Sequence, residues 1–260
     1  MIPAERQRLI VEQLIERGVL SIAELCELLG VSHMTVRRDI QLLERQGRLT
    51  SVAGGVTVPE RLAFEPSHIA KSQMALGQKI SIGALAASMV PRGAVLYLDA
   101  GTTTLEIARK LAVRDDLVIV TNDFVVASLL MQQSSCKLFH TGGAIDRENQ
   151  SSAGELAAEA IRRFNFDIAF MSTSSFGLRG VSTPADGKVV VKRAIVESSA
   201  QVILATDSSK YGRVGAFNAV PLDVLSAIIS DDGLPEAARA AMTELGISVH
   251  IAAMDPAAAA

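Results

Sequence analysis

Residues 25–47 read LCELLGVSHMTVRRDIQLLERQG, and their pattern decides how the N-terminal part of the chain folds. An apolar helical pattern through Leu25, Leu28 and Leu29 ends at Gly30. A two-residue turn, Val31-Ser32, leads to a further helical pattern from His33 to Gln46, with Gly47 just past its end. Ser32 is placed to cap that helix. Val36, Ile40 and Leu43 recur at i, i+4 and i+7 and must face a core. At about 100° per residue, the opposite face gathers Met34, Arg38, Gln41 and Arg45, with Arg37 on its edge. Two helices joined by so short a turn form a helix-turn-helix, and a free face of long donors suits base edges and phosphates.

Upstream, Leu9, Ile10, Leu14 and Ile15 repeat at helical spacing and stop at Gly18, and Ser21 with Glu24 forms a capping-box pair. Downstream, residues 48–52 and 56–58 flank Ala53-Gly54-Gly55 as a hairpin, read as a wing with Arg48 near phosphate. The expected DNA contacts are Ser32, His33, Met34, Thr35, Arg37, Arg38, Gln41, Arg45 and Arg48. Charge supports this only locally. The chain carries net charge −3, and in residues 1–58 the arginines at 6, 8, 17, 37, 38, 45 and 48 are balanced by acids at 5, 12, 16, 24, 27, 39 and 44. Only Asp39 and Glu44 oppose the four arginines between 37 and 48. An ordinary solvated helix face is the competing reading.

Residues 59–73 are expected to be a linker, because PERLAFEP (59–66) is bounded by prolines and lacks periodicity. From residue 74 the texture changes. Apolar runs at 94–98, 117–121, 137–140, 167–171, 202–206, 226–230 and 247–251 alternate with helical patterns at 75–90, 103–112, 124–132, 155–163, 188–200 and 235–244. Continuous apolar strands separated by amphipathic helices imply a mostly parallel sheet covered on both faces. The expected fold is therefore a small α+β winged helix-turn-helix domain (1–58) followed by a larger α/β domain (74–254) and a tail (255–260).

A length of 260 residues with 49% hydrophobic residues allows a large and a small core. No apolar run reaches membrane-spanning length, and the N-terminus lacks the order of a signal peptide. Cys26 and Cys136 each sit in an apolar stretch, with no CxxC or Cys/His cluster. Neither disulfide, metal nor other cofactor is expected, and the chain reads as cytoplasmic.

In the larger half, Asp99-Ala100-Gly101-Thr102-Thr103-Thr104 follows a buried strand and opens a helix. A small-residue loop at a helix N-terminus presents N–H groups and a positive dipole end, and three hydroxyls add donors, so the loop suits phosphate. Further polar groups follow later strands: Thr121-Asn122-Asp123, Thr141-Gly142-Gly143, residues 172–175, and Asp207-Ser208-Ser209-Lys210. Open α/β sheets bind ligands at such strand ends. Turn and capping chemistry is the alternative for Asn122 and Asp207.

These motifs carry a family resemblance. Residues 5–58, with Val31-Ser32-His33-Met34-Thr35-Val36-Arg37-Arg38-Asp39-Ile40-x-x-Leu43-Glu44-x-x-Gly47, resemble the DNA-binding domain of the DeoR family. Residues 74–235 resemble its C-terminal sensor through Asp99-x-Gly101-Thr102-Thr103-Thr104, Val120-Thr121-Asn122, Gly142-Gly143, Asp167-x-Ala169-Phe170, Val191-Lys192-Arg193-Ala194 and Asp207-Ser208-Ser209-Lys210-Tyr211-Gly212. The resemblance implies a repressor controlled by a phosphorylated sugar or sugar acid, built on a ribose-5-phosphate-isomerase-like sensor. It implies ligand contacts from Asp99, Gly101, Thr102, Thr103, Thr104, Thr121, Asn122, Gly142, Gly143, Asp167, Lys192, Asp207 and Lys210.

The chain departs from the pattern in its wing, where Ser51-x-Ala53-Gly54-Gly55-Val56 replaces an Arg-x-His-Gly-Gly-Ala run, and at Ser172, Ser175 and Ala185-Asp186-Gly187-Lys188. Lys188 in place of an acid favours a more anionic ligand. Two other classes stay in view. An isomerase needs a carboxylate base, yet the strand that carries several acids in such enzymes reads Asp167-Ile168-Ala169-Phe170-Met171 here. A protein-interaction adaptor would leave Thr35, Arg37 and Arg38 without a role. The expected partners are operator DNA, a small phosphorylated effector and, since helix-turn-helix proteins read repeated half-sites, further copies of the chain.

Overall fold

The computed structural model describes residues 1–253; the tail read at 255–260 lies outside them. The N-terminal unit has three helices, α1 (Pro3–Arg17), α2 (Ile22–Leu29) and α3 (His33–Arg45), and a hairpin of β1 (Thr50–Val52) and β2 (Gly55–Thr57). Ile10, Leu14, Leu25, Val36, Leu43 and Leu49 are its buried core. The Ser21–Glu24 capping box is formed in both directions, and Gly30 closes α2 in the left-handed conformation at φ +64°. Gly55 has a packing role: a Cβ there would lie 2.3 Å from the Leu20 carbonyl oxygen. Leu20 exchanges backbone hydrogen bonds with Val56, so the hairpin is laced to the turn before α2.

The segment expected to be an unstructured linker carries a strand, β3 (Glu60–Leu62), and a helix, α4 (His68–Gln73). The strand pairs in parallel with residues 213–215 of the larger unit. A three-residue strand is too short to show a period, and it forms because a distant strand supplies its partner.

Next come α5 (Leu76–Ser88), β4 (Val95–Leu98), α6 (Thr102–Leu111), β5 (Val118–Thr121), α7 (Phe124–Gln133), β6 (Lys137–His140), β7 (Ala144–Asp146), β8 (Ser151–Ala153), α8 (Glu155–Ile161) and β9 (Phe166–Met171). The rest comprises β10 (Ser175–Gly177), β11 (Gly180–Thr183), α9 (Gly187–Glu197), β12 (Ser199–Ala205), β13 (Arg213–Gly215), β14 (Phe217–Val220), β15 (Ala227–Asp231), α10 (Glu236–Glu244) and β16 (Ser248–Ala252). Seven parallel strands form one sheet in the order β16-β15-β12-β9-β4-β5-β6. Both faces are covered. Leu96 and Leu98 point into a layer with Ile82, Ile107 and Val126, whereas Tyr97 between them joins Ile161, Ala194 and Met242 on the other side. The polar loops after β4, β5, β9 and β12 therefore gather at one end of the sheet.

Asp167 does not belong there. It is the second residue of β9 and exposed, and it accepts a hydrogen bond from Val95 N at 2.8 Å, at the N-terminal end of the strands. The reading of Asp167 as a ligand contact is corrected: parallel strands place their first residues a strand length away from the ligand end.

Candidate functional site

Helix α3 presents His33, Met34, Arg37, Arg38, Gln41 and Arg45 on its exposed side, with exposed Ser32 before it and exposed Arg48 after it. Ser32 Oγ caps the helix by accepting from half-buried Thr35 N at 3.3 Å. The two acids that offset these arginines in the sequence both turn inward. Buried Asp39 pairs with Arg6 and accepts from Gln7 Nε2 at 2.9 Å. Buried Glu44 accepts from Ser51 N at 2.6 Å and Ser51 Oγ at 2.9 Å. The outward face is thus more cationic than the local composition. Arg45 meets Glu244 of α10 at 3.2 Å, so in this arrangement it is engaged by the sensor unit.

At the C-terminal end of the parallel strands, Asp99 is a hub. Lys192 Nζ donates to its Oδ2 at 2.7 Å and to Ser172 O at 2.6 Å. Ser172 N and Oγ donate to the same carboxylate at 3.1 Å each, and Ala100 N donates to Oδ1 at 2.9 Å. Gly101 N donates to Asp123 Oδ2 at 3.0 Å, and the other oxygen of Asp123 caps α7 through Val125 N and Val126 N. Burial pushes the Asp123 carboxyl up to about 6. Gly101 is extended (φ 162°), and its close neighbour is the Ser172 side chain.

Thr104 Oγ1 donates to the carbonyls of Asp99 and Gly101 at 2.6 and 2.7 Å. The hydroxyls of Thr102 and Thr103 at the start of α6 have no such partner among the described residues. Thr121 donates to Leu98 O at 2.7 Å and accepts from Asp123 N, so its hydroxyl holds strand to strand. Gly142 and Gly143 lie beyond β6 with positive φ. A Cβ on Gly143 would press on Ala157 at 3.1 Å, so that position serves packing against α8.

Asp99, Asn122 and Lys192 line one cleft with Ser152, Ser172, Lys188 and Glu65. Asn122 Nδ2 donates to Ser152 O at 2.8 Å. A carbonyl only accepts, which assigns the amide and leaves Oδ1 as the free atom; that oxygen and Ser152 Oγ are both buried without a partner. Asp207 and Lys210 form a neighbouring cluster, with Nζ and Oδ2 3.3 Å apart. Buried Lys79 donates to the Lys71 and Met74 carbonyls, and its ammonium is lowered to about 8 by burial and by Lys210.

The sequence reading missed Glu65, Lys71 and Ser152. Glu65 and Lys71 lie in the presumed linker, and Glu65 meets Lys188 across 123 positions of chain, a pairing with no local signature. Among the described residues, no group of His, Cys, Asp and Glu could hold a metal, and no helix is long and apolar enough to cross a membrane.

A cationic helix-turn-helix joined to a polar strand-end cleft defines a DNA-binding transcriptional regulator with a sensor domain. Residues 6–61 match the DeoR-like helix-turn-helix domain and residues 75–232 the DeoR C terminal sensor domain; the chain belongs to the DeoR family. It is 51% identical to the HTH-type transcriptional regulator YgbI of Escherichia coli K12 over 252 residues, covering 97% of this chain and 99% of that one. It is 29% identical to the glycerol-3-phosphate regulon repressor of the same organism over 248 residues, covering 95% and 98%. With the transcriptional repressor AccR of Agrobacterium fabrum it shares 31% identity over 233 residues, covering 88% and 90%. Part of the chain also overlays ribose 5-phosphate isomerase from Plasmodium falciparum, with TM-score 0.39, 16% identity and 53% of each chain covered.

Proposed function

We propose that this regulator represses genes of carbohydrate or sugar-acid catabolism and that a phosphorylated metabolite, bound at the C-terminal ends of the parallel strands, controls it. The observation that carries this reading is the presence of Lys188, in the first turn of α9, and Lys192 in one strand-end cleft lined by buried polar groups. Lysine ammonium groups and a helix N-terminus both favour an anion. The free Asn122 Oδ1 and Ser152 Oγ are suited to ligand hydroxyls.

Regulation rather than catalysis is supported by Asp99. The cleft carboxylate of Asp99 accepts from Lys192, Ser172 and Ala100 N, an arrangement that fixes it in place. A symmetric oligomer placing two copies of α3 on repeated half-sites completes the reading. The test is operator binding by fluorescence anisotropy, alongside thermal melting, across a panel of phosphorylated sugars and sugar acids. A member of the panel should raise the melting temperature and change operator affinity. Response only to unphosphorylated compounds would overturn the proposal.

A further inference from the structure

The strand-end cleft is narrow. Its free space is about 20 Å³, room for one water and not for a sugar. Binding therefore requires a lining group to leave. Asp99, Ser172 and Lys192 are tied to one another and to backbone at the heart of the sheet. Glu65 differs, because it comes from the short stretch between β3 and α4, outside any regular element, next to Phe64 at 85% exposure.

The Glu65 carboxylate sits between two ammonium groups, donated by Lys71 (2.6 Å) and Lys188. Both lysines have their own supports. Lys71 also donates to Asn149 Oδ1 at 2.5 Å, and Asn149 is held by Asp146; Lys188 lies in the first turn of α9. Two cations facing one carboxylate retain an uncompensated charge, which an incoming phosphate or carboxylate would neutralise at least as well.

We propose that Lys71 and Lys188 form an anion subsite that Glu65 occupies in the free protein, and that an anionic group of the effector binds by displacing Glu65. This rests on the reading of the cleft as the effector site and adds which groups take the charge and what must move. Displacement has a mechanical route outward. Glu65 follows closely on β3, whose Glu60 N donates to Gly212 O at 3.1 Å, and the adjacent Tyr211 hydroxyl reaches Glu44 of α3 at 3.0 Å. An anion that frees Glu65 loosens the segment joining the cleft to the DNA-binding unit.

The test uses the full chain and inorganic phosphate as probe, by isothermal titration calorimetry and by hydrogen–deuterium exchange of residues 63–67. An internal competitor lowers apparent affinity by the fraction of time it vacates the site, so Glu65→Gln should bind phosphate on the order of tenfold tighter than wild type. Adding Lys188→Met should abolish that gain. In the wild type, saturating phosphate should speed exchange at 63–67. Equal or weaker phosphate binding by Glu65→Gln, or slower exchange at 63–67 with phosphate, would overturn the proposal. Should Glu65→Gln fail to fold, the wild-type exchange measurement decides alone. Phosphorylated sugars that leave operator binding unchanged would remove the functional reading while leaving the phosphate result in place, so the two failures are distinguishable.

Discussion

The Tyr211 hydroxyl donates to Glu44 Oε1 at 3.0 Å, linking the loop after β12 to the last turn of α3. Burial and the Glu44 charge push the phenol far above its ordinary range, so it remains a donor. The Tyr211 ring packs edge-on against Phe176 with centroids 5.4 Å apart. Beside it, a Cβ on Gly212 would come within 2.7 Å of Thr50 Cγ2, so the Gly212 backbone packs directly against the Thr50 side chain. Glu44 also holds Ser51 of the wing, and one carboxylate thus connects sensor, recognition helix and wing.

Tyr211→Phe should weaken communication more than either binding event. It keeps the ring contact with Phe176 and removes the one hydrogen bond to Glu44. The ratio of operator affinities with and without effector should shrink about fivefold, corresponding to roughly 1 kcal/mol of coupling. Anisotropy titrations in both states measure it, and an unchanged ratio would exclude this link from the signal.

Arg38→Ala should weaken operator binding by about 1–3 kcal/mol if the guanidinium reads a base, or lower the salt slope by about one if it meets phosphate. Arg38 is exposed, and both acids near it in sequence are turned into the core. Operator titrations at several salt concentrations separate the cases. If affinity and slope both stay at wild-type values, Arg38 is outside the interface.

Thr103→Val should cost effector affinity on the order of 1.5–3 kcal/mol, the loss of one donor to a charged group, while operator affinity without effector stays near wild type. Thr103 is chosen because Thr104 already donates to two carbonyls and its loss would damage the loop itself. A folded Thr103→Val protein that titrates like wild type would reduce this loop to a turn.

Glu65 should leave a mark on acid stability. Burial alone would raise its carboxyl, but Lys188 and Lys71 outweigh this and hold it at about 2, against an ordinary value of 4.5. A carboxylate lowered by folding binds fewer protons in the folded chain. Its contribution is therefore complete above about pH 4.5 and is lost as pH falls toward 2. The melting temperature of the wild type should fall across that window, and Glu65→Gln should flatten the slope there. Parallel curves for the two proteins would contradict the ion-pair assignment.

The alternation of strands and helices, the capping at Ser21 and Ser32 and the outward face of α3 were all legible in the chain, because each depends on residues within a few positions of one another. Much of the cleft was legible as well, since Asp99 and Asn122 follow, and Lys192 lies within, elements that periodicity reveals. Other residues in the same motifs turned out to serve the fold: Thr121 ties β5 to β4, and Gly143 admits α8. A motif shows that a residue type is required but not which neighbour requires it.

What the sequence determined by itself is therefore the two-part plan, the helix-turn-helix and the end of the sheet where chemistry gathers. Tertiary structure alone decided that Asp39 and Glu44 turn away from the outward face of α3 and that Glu65 sits between Lys71 and Lys188. Local periodicity and capping act over one or two turns of chain. Charge pairing and strand order join residues as far apart as Glu65 and Lys188, and only the closed packing of the sheet brings them within hydrogen-bonding reach.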